Sequence, residues 1–259
     1  MRVTVCELPH DPGALAIAWA ALCEHTGRYS SELVLLPEFA MVDAVWQDER
    51  FDEARWTAAQ AASEVWRHRL PELRVTHVVG TRPVTIGGRP FNQGFLWSAN
   101  GDLVPLRRKF FLPDEPGSWE ARWFDRGDSD FIEYRADTWS FGLNICTELW
   151  ALEAYAGYAA RGVQLVLSPR ATSAATTEKW LSVGVVAAVR SGAFSLSSNR
   201  VDPSGAFGGV GWIIGPYGNV LARTTLDAPF ATVDIDLSAS AAARESYPGY
   251  ALSGRRPSP

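Results

Sequence analysis

Leu33-Val34-Leu35-Leu36 is apolar at every position, and Pro37 and Glu38 follow at once. A strand with one wet face alternates apolar and polar residues, whereas a run with no polar position has to be covered on both sides. Such a strand belongs inside a sheet that carries further layers above and below it. Val75 to Val79 and Val163 to Ser168 read as buried strands of the same kind. Helical patterns alternate with these strands: residues 13–25 after the Asp11-Pro12-Gly13 break, residues 53–70 ending before Pro71, residues 149–161, and residues 177–191 with Thr176 or Thr177 as cap. Strands and helices that mix throughout, with no linker between two halves of similar make-up, read as one α/β domain over residues 1–252, built from two sheets with helices outside. The segment from Ser253 (Ser-Gly-Arg-Arg-Pro-Ser-Pro) reads as a flexible tail.

Val3, Val5 and Leu8 suggest an opening strand, and residues 80–108 hold two or three strands turned by Gly87-Gly88 and Asn100-Gly101. Residues 110–129 contain Pro113, Pro116, Gly117 and Gly127, which makes them a long loop, and long loops inside compact domains are usually functional. Phe131 to Tyr134 and Trp139 to Ile145 read as strands. Three strand-like runs follow at 193–198, 207–214 and 219–224, and Phe230 to Asp236 closes the sheet.

Composition removes several function classes. Of 259 residues, 24 are basic and 29 acidic, a formal charge of −5, and the only basic cluster is Arg107-Arg108-Lys109, so a nucleic-acid partner is not expected. Three cysteines are too few for a disulfide framework and fit a reducing compartment. The N-terminal stretch has no apolar core of a signal peptide, and the longest apolar run, Ala14 to Cys23, is far short of the ~18 residues of a membrane span. The chain therefore reads as soluble and cytoplasmic. There is no G-x-S-x-G elbow, no phosphate-binding G-x-x-x-x-G-K-[ST], and no C-x-x-C or H-E-x-x-H to hold zinc. The four histidines are scattered, and no metal or other cofactor is expected.

Three segments carry the chemistry that remains. Glu38 stands directly after the buried strand 33–36, where ligand-facing residues of α/β sheets concentrate; the plainer alternative is a loop-surface or capping Glu. Lys109 lies between a strand and the aromatic loop Phe110-Phe111-Leu112-Pro113, and by itself would pass for a surface lysine. Cys146 ends the strand-like Phe141-Gly142-Leu143-Asn144-Ile145 just before a helical pattern, and amides near a helix N-terminus favour a thiolate; a buried structural cysteine is the commoner case.

In that order, a Glu after Leu-Leu-Pro, a Lys before an aromatic Leu-Pro loop and a Cys after Gly-x-x-Ile resemble the nitrilase superfamily of carbon–nitrogen hydrolases. The resemblance covers nearly the whole chain and extends to Asn199-Arg200-Val201 and to Gly211-Trp212-Ile213-Ile214-Gly215-Pro216-Tyr217-Gly218-Asn219-Val220-Leu221-Ala222. It implies a four-layer α-β-β-α sandwich with two central mixed sheets, a homodimer paired through helices near the cysteine, and a cofactor-free amidohydrolase of a small amide or N-carbamoyl compound. It implies Glu38 as general base, Lys109 as oxyanion stabiliser and Cys146 as the nucleophile that forms a thioester. A second glutamate supports the lysine in this family. Glu120, ahead of Trp123-Phe124 and Gly127-Asp128, is preferred for that place over Glu115, which sits in a turn beside Pro116.

Departures from the family pattern refine these expectations. Thr147 occupies the place where nitrile hydrolysers carry Trp, which favours amides over nitriles, and Glu148 reads as a residue that bonds backbone in the elbow. Nitrile hydrolysis, transfer of the acyl group to an amine, and a non-catalytic binding role remain as alternatives. The Thr147 backbone N–H is a candidate oxyanion donor. Trp46, Trp119 and Trp150 are candidates for a pocket wall, whereas Trp66 and Trp180 read as core or interface. Arg170, after the strand 163–168, is a candidate partner for a substrate carboxylate or else a structural salt bridge. Cys6 and Cys23 read as core thiols.

Overall fold

A computed structural model describes residues 1–254 of the chain. Its strands are β1 (Arg2–Pro9), β2 (Leu33–Leu35), β3 (His77–Ile86), β4 (Arg89–Ser98), β5 (Leu103–Arg108), β6 (Tyr134–Ala136), β7 (Trp139–Leu143), β8 (Leu165–Arg170), β9 (Phe194–Val201), β10 (Trp212–Ile214), β11 (Val220–Arg223) and β12 (Phe230–Asp234). The helices are α1 (Pro12–Tyr29), α2 (Glu53–Arg67), α3 (Glu120–Trp123), α4 (Glu153–Arg161), α5 (Thr177–Ser191), α6 (Ala239–Glu245) and α7 (Gly249–Leu252).

Hydrogen bonds run without a break through the order β5-β4-β3-β2-β1-β9-β8-β7-β6, with β12 beside β1 and with β10 and β11 continuing from β9. The two expected sheets are thus joined edge to edge through β1. Its first part, Val3 to Val5, pairs parallel with Leu33–Leu35, while Glu7 to Pro9 pairs parallel with Asn199–Val201 of the other half. The sheet curls back on itself there, because one core gathers Val3, Val5, Leu33 and Leu35 with Phe141, Leu143, Leu165, Leu167 and Leu196.

The uniform apolarity of residues 33–36 now has its cause. Leu33 and Leu35 face that shared core, while Val34 and Leu36 face a second one with Trp19 and Leu22 of α1 and Trp56 of α2. Each side chain removed from water stabilises the fold by about 1.5–3 kcal/mol. On the far side, Val166, Trp212 and Ile214 pack with Tyr155 and Tyr158 of α4 and Val183 of α5. The close seating of α4 requires Gly142, since a Cβ there would lie 2.2 Å from the Tyr158 ring.

Several boundaries differ from expectation. β3 starts at His77 and runs to Ile86, paired through ten residues with β4 across Gly87 and Gly88, both at positive φ. The strand expected at 131–134 lies at Tyr134–Ala136, and the one expected over 207–214 shrinks to Trp212–Ile214 because the glycines before it form loop. The helix expected from residue 149 begins at Glu153, after a 3-10 turn over Cys146–Trp150. The short α3 interrupts the loop 110–129. The expected flexible tail falls largely on residues 255–259, outside the described residues.

Candidate active site

Glu38, Lys109 and Cys146 each follow the end of a strand, on β2, β5 and β7 respectively, and the curled sheet brings these ends together. Beyond β2, the Leu36 N–H still donates to Val79 O (2.8 Å), but the Glu38 N–H crosses to Arg170 O at the end of β8 (3.1 Å). Phe39 then takes φ +46°, a left-handed conformation unusual for a large side chain. Its carbonyl accepts from the Arg200 guanidinium (2.9 Å), as does that of Val42 (3.0 Å). Arg200, from the Asn199-Arg200-Val201 segment, is therefore a buried clamp on the loop that carries Glu38.

Lys109 is anchored through its backbone N–H to Asn92 O of β4 (2.8 Å). Its ammonium lies 2.8 Å from Glu38 Oε1 and 2.7 to 2.8 Å from the two oxygens of Glu120, and all three side chains are at most 3% exposed. The Asn92 amide donates to the same Glu38 oxygen (2.8 Å), whereas Glu38 Oε2, equally buried, has no protein partner. Glu120, carried inward on α3, meets the lysine; Glu115 stays exposed in a turn closed with Ser118.

Burial by itself would lower the Lys109 pKa, but the Glu120 and Glu38 charges outweigh it and hold the ammonium above its ordinary value. Burial, reinforced by Glu38 and offset in part by Lys109, pushes Glu120 up to about 8.

Cys146 occupies the left-handed region at φ +49°, at the start of the 3-10 turn. Non-glycine residues held there cost roughly 1–3 kcal/mol and persist only where surrounding structure enforces them. Glu148 enforces this one. Its carboxylate accepts the Ile145 N–H (2.9 Å), the Phe110 N–H (2.7 Å) and the Arg107 guanidinium, so it joins the residue before Cys146 to the residue after Lys109. The Asn144 amide bonds Glu148 O (2.8 Å) and Tyr158 bonds Asn144 Oδ1 (3.1 Å).

The expected thiolate from a following helix is not what this turn produces. Burial first, then the Glu38 carboxylate, hold the thiol well above its ordinary pKa, against opposing contributions from Lys109 and the Ala171 N–H. Cys146 thus rests as a thiol within the electrostatic influence of the Glu38 carboxylate.

Cys146, Glu120 and Thr147 line one cleft of about 400 Å³ whose walls include Trp46, Trp180 and Phe207. Trp46 is where the sequence placed a pocket candidate. Trp180, read there as core or interface, is a wall residue positioned by its Nε1–H on Thr176 Oγ1 (3.2 Å). Trp119 instead caps α3 beneath the Arg122 guanidinium (4.3 Å), and Trp150, 46% exposed, packs edge-on to Trp180 outside the cleft. Arg170 is fully buried: its nitrogens donate to Ser197 Oγ (2.7 Å), Thr172 Oγ1 (2.7 Å) and Val210 O (2.6 Å), and it stacks on Trp212 (4.1 Å). It braces the floor of the site and is not placed to meet a substrate carboxylate. Asn92 escaped the sequence reading; an Asn amid the strand residues Phe91-Asn92-Gln93, where that residue type is depleted, was the available signal.

The sequence pattern of the carbon-nitrogen hydrolases matches residues 2–245. The chain belongs to that family. Among solved structures, a carbon-nitrogen hydrolase from Helicobacter pylori G27 superposes with a TM-score of 0.85 at 21% identity, covering 99% of this chain and 95% of that one. An amidase from Nesterenkonia sp. AN1, in a variant with the acetamide moiety of fluoroacetamide added covalently at its active-site cysteine, gives 0.78 at 21% identity over 93% and 92%. At these identities the superpositions establish a shared fold. Among curated relatives, an omega-amidase of Homo sapiens is 26% identical over 84% of this chain and 81% of its own length. A chloroplastic omega-amidase of Arabidopsis thaliana is 28% identical over 68% of this chain, and an N-carbamoylputrescine amidase of Solanum lycopersicum is 26% identical over 51%. The chain spans half the length of each of these two plant proteins.

Proposed function

We propose that this carbon-nitrogen hydrolase cleaves the C–N bond of a small amide or N-carbamoyl compound through a thioester on Cys146. The observation that carries the reading is the buried Lys109 ammonium held between two carboxylates next to a cleft-lining cysteine. Amidase relatives, one matched along most of its length, point the same way.

In this mechanism the free oxygen of Glu38 removes the Cys146 proton as sulfur attacks the carbonyl carbon, so that a buried thiolate never has to stand alone. The negative charge that develops on the carbonyl oxygen meets Lys109 and the Thr147 N–H; one such donor is worth about 3–4 kcal/mol. The protonated Glu38 then gives its proton to the departing nitrogen, the C–N bond breaks, and the acyl group stays on sulfur. Water enters, Glu38 takes a proton from it, the hydroxide displaces sulfur, and the proton returns to Cys146. Glu120 keeps Lys109 aligned throughout. The cycle consumes one water and releases an acid with ammonia or an amine.

Replacing Cys146 by Ala is the direct test. Ammonia release from a panel of primary amides and N-carbamoyl compounds falls at least about 10³-fold while circular dichroism and the melting temperature stay near wild type. Turnover by a folded Cys146→Ala protein at the wild-type rate rejects the mechanism.

A further inference from the structure

Charge around the cleft limits what its substrate can carry. Among the described residues, those that line it include no Lys, Arg or His, while Glu115 stands at the rim and Glu120 at the floor. Two buried arginines stand behind the wall rings, Arg170 5.9 Å from Trp180 and Arg200 5.1 Å from Phe207, and both are committed to the protein, Arg170 to two hydroxyls and a carbonyl and Arg200 to the carbonyls of Phe39 and Val42. Lys109 lies under the floor with Glu38 and Glu120 on it, so its single positive charge is at least matched by the carboxylates in contact with it. The walls are aromatic on one side, through Trp46, Trp180 and Phe207, and elsewhere offer the uncharged hydroxyls of Ser118, Thr172 and Ser173. A substrate carboxylate entering here would lose water and find no cationic side chain in the lining to pair with, a cost that an uncharged group escapes.

We infer that the substrate is an amide or carbamoyl compound with an apolar or cationic remainder and no carboxylate, the aromatic walls receiving its carbon skeleton. This deepens the hydrolase reading and rests on it. An ammonium in the substrate would find the acidic rim at Glu115.

Two measurements on the intact protein separate this inference from the hydrolase reading. The first is alkylation of Cys146 by iodoacetamide and by iodoacetate, probes that differ in one negative charge, with glutathione as the reference thiol. The ratio of the two rates at Cys146 should exceed that at glutathione by about tenfold, whereas a ratio at or below that of glutathione overturns the inference. The second is ammonia release from three amides of similar length: succinamate, its methyl ester and 4-aminobutanamide. The ester and the aminoamide should exceed succinamate in kcat/KM by about tenfold or more, and succinamate equal to or ahead of both overturns the inference. No ammonia from these three or from the wider panel of primary amides and N-carbamoyl compounds, with the alkylation ratio still high, defeats the hydrolase reading and leaves the charge preference standing.

Discussion

Glu120 is the residue whose titration exposes the logic of the site. Buried against Lys109 with Glu38 beyond it, it ionises near pH 8 in the folded chain and near 4.5 when unfolded. A carboxyl raised in this way contributes stability that is fully present below pH 4.5 and is lost as pH rises through about 8. Lys109, raised above 10.5, loses its own contribution only at higher pH. Urea unfolding of wild type and Glu120→Gln from pH 4.5 to 8.5 should therefore show wild type losing stability relative to the variant as pH rises; a constant difference contradicts the assignment. Glu38, Lys109 and Cys146 each follow a readable strand, but taken singly each had a plainer reading, and only the family resemblance gathered them into one set. The partnership of Lys109 with Glu120 was likewise readable only through that resemblance, since residues 110–119 between them are irregular loop and Glu120 opens a helix of only four residues. For Arg170 the strand-end position left a substrate carboxylate and a structural salt bridge both open. Sequence position does not reveal that Ser197, Thr172 and Val210 already hold its guanidinium.

Among the elements, the turn over Cys146–Trp150 depends on one side chain more than on its own backbone. Glu148 is fully buried and bridges the backbone at Ile145 to that at Phe110, with Arg107 as its ion-pair partner. Removing the carboxylate leaves two backbone N–H groups and Nη1 of Arg107 without an acceptor, while Nη2 keeps its bond to Asp128 O. Glu148→Ala should cost about 3–5 kcal/mol in denaturant unfolding. In protein that still folds, kcat should fall more than KM rises, because Lys109 and Cys146 lose their common anchor. A variant with kcat and stability near wild type contradicts this positioning role. The sequence reading put Glu148 in the elbow but not on Phe110, because a contact across 38 residues is a property of the curled sheet. The strands buried on both faces were read well for the opposite reason: their pattern is local. The Asn199-Arg200-Val201 segment, visible as a motif, proves to be loop support, with Asn199 bonded to Thr172 N–H (2.9 Å) and Gly209 O (2.6 Å) and Arg200 holding the Glu38 loop.

For the whole molecule, the sheet that turns over β1 sets three strand ends around one cleft, and the order of those strands could not be read from the chain. Trp150, Leu152, Val186 and Tyr217 are apolar side chains 45–55% exposed on or beside the cysteine turn, α4 and α5. They suit the homodimer implied by the family resemblance, and light scattering should return twice the chain mass of 28.3 kDa. A monomer at micromolar concentration contradicts that assembly. The account as a whole depends on a covalent bond between Cys146 and the acyl group of the substrate. Rapid acid quench of wild-type protein with a turned-over amide, followed by intact mass measurement and peptide mapping, should find the acyl mass on the peptide that contains Cys146 and none on Cys146→Ala. Steady turnover with no such adduct, or an adduct on Cys6 or Cys23 instead, would contradict it.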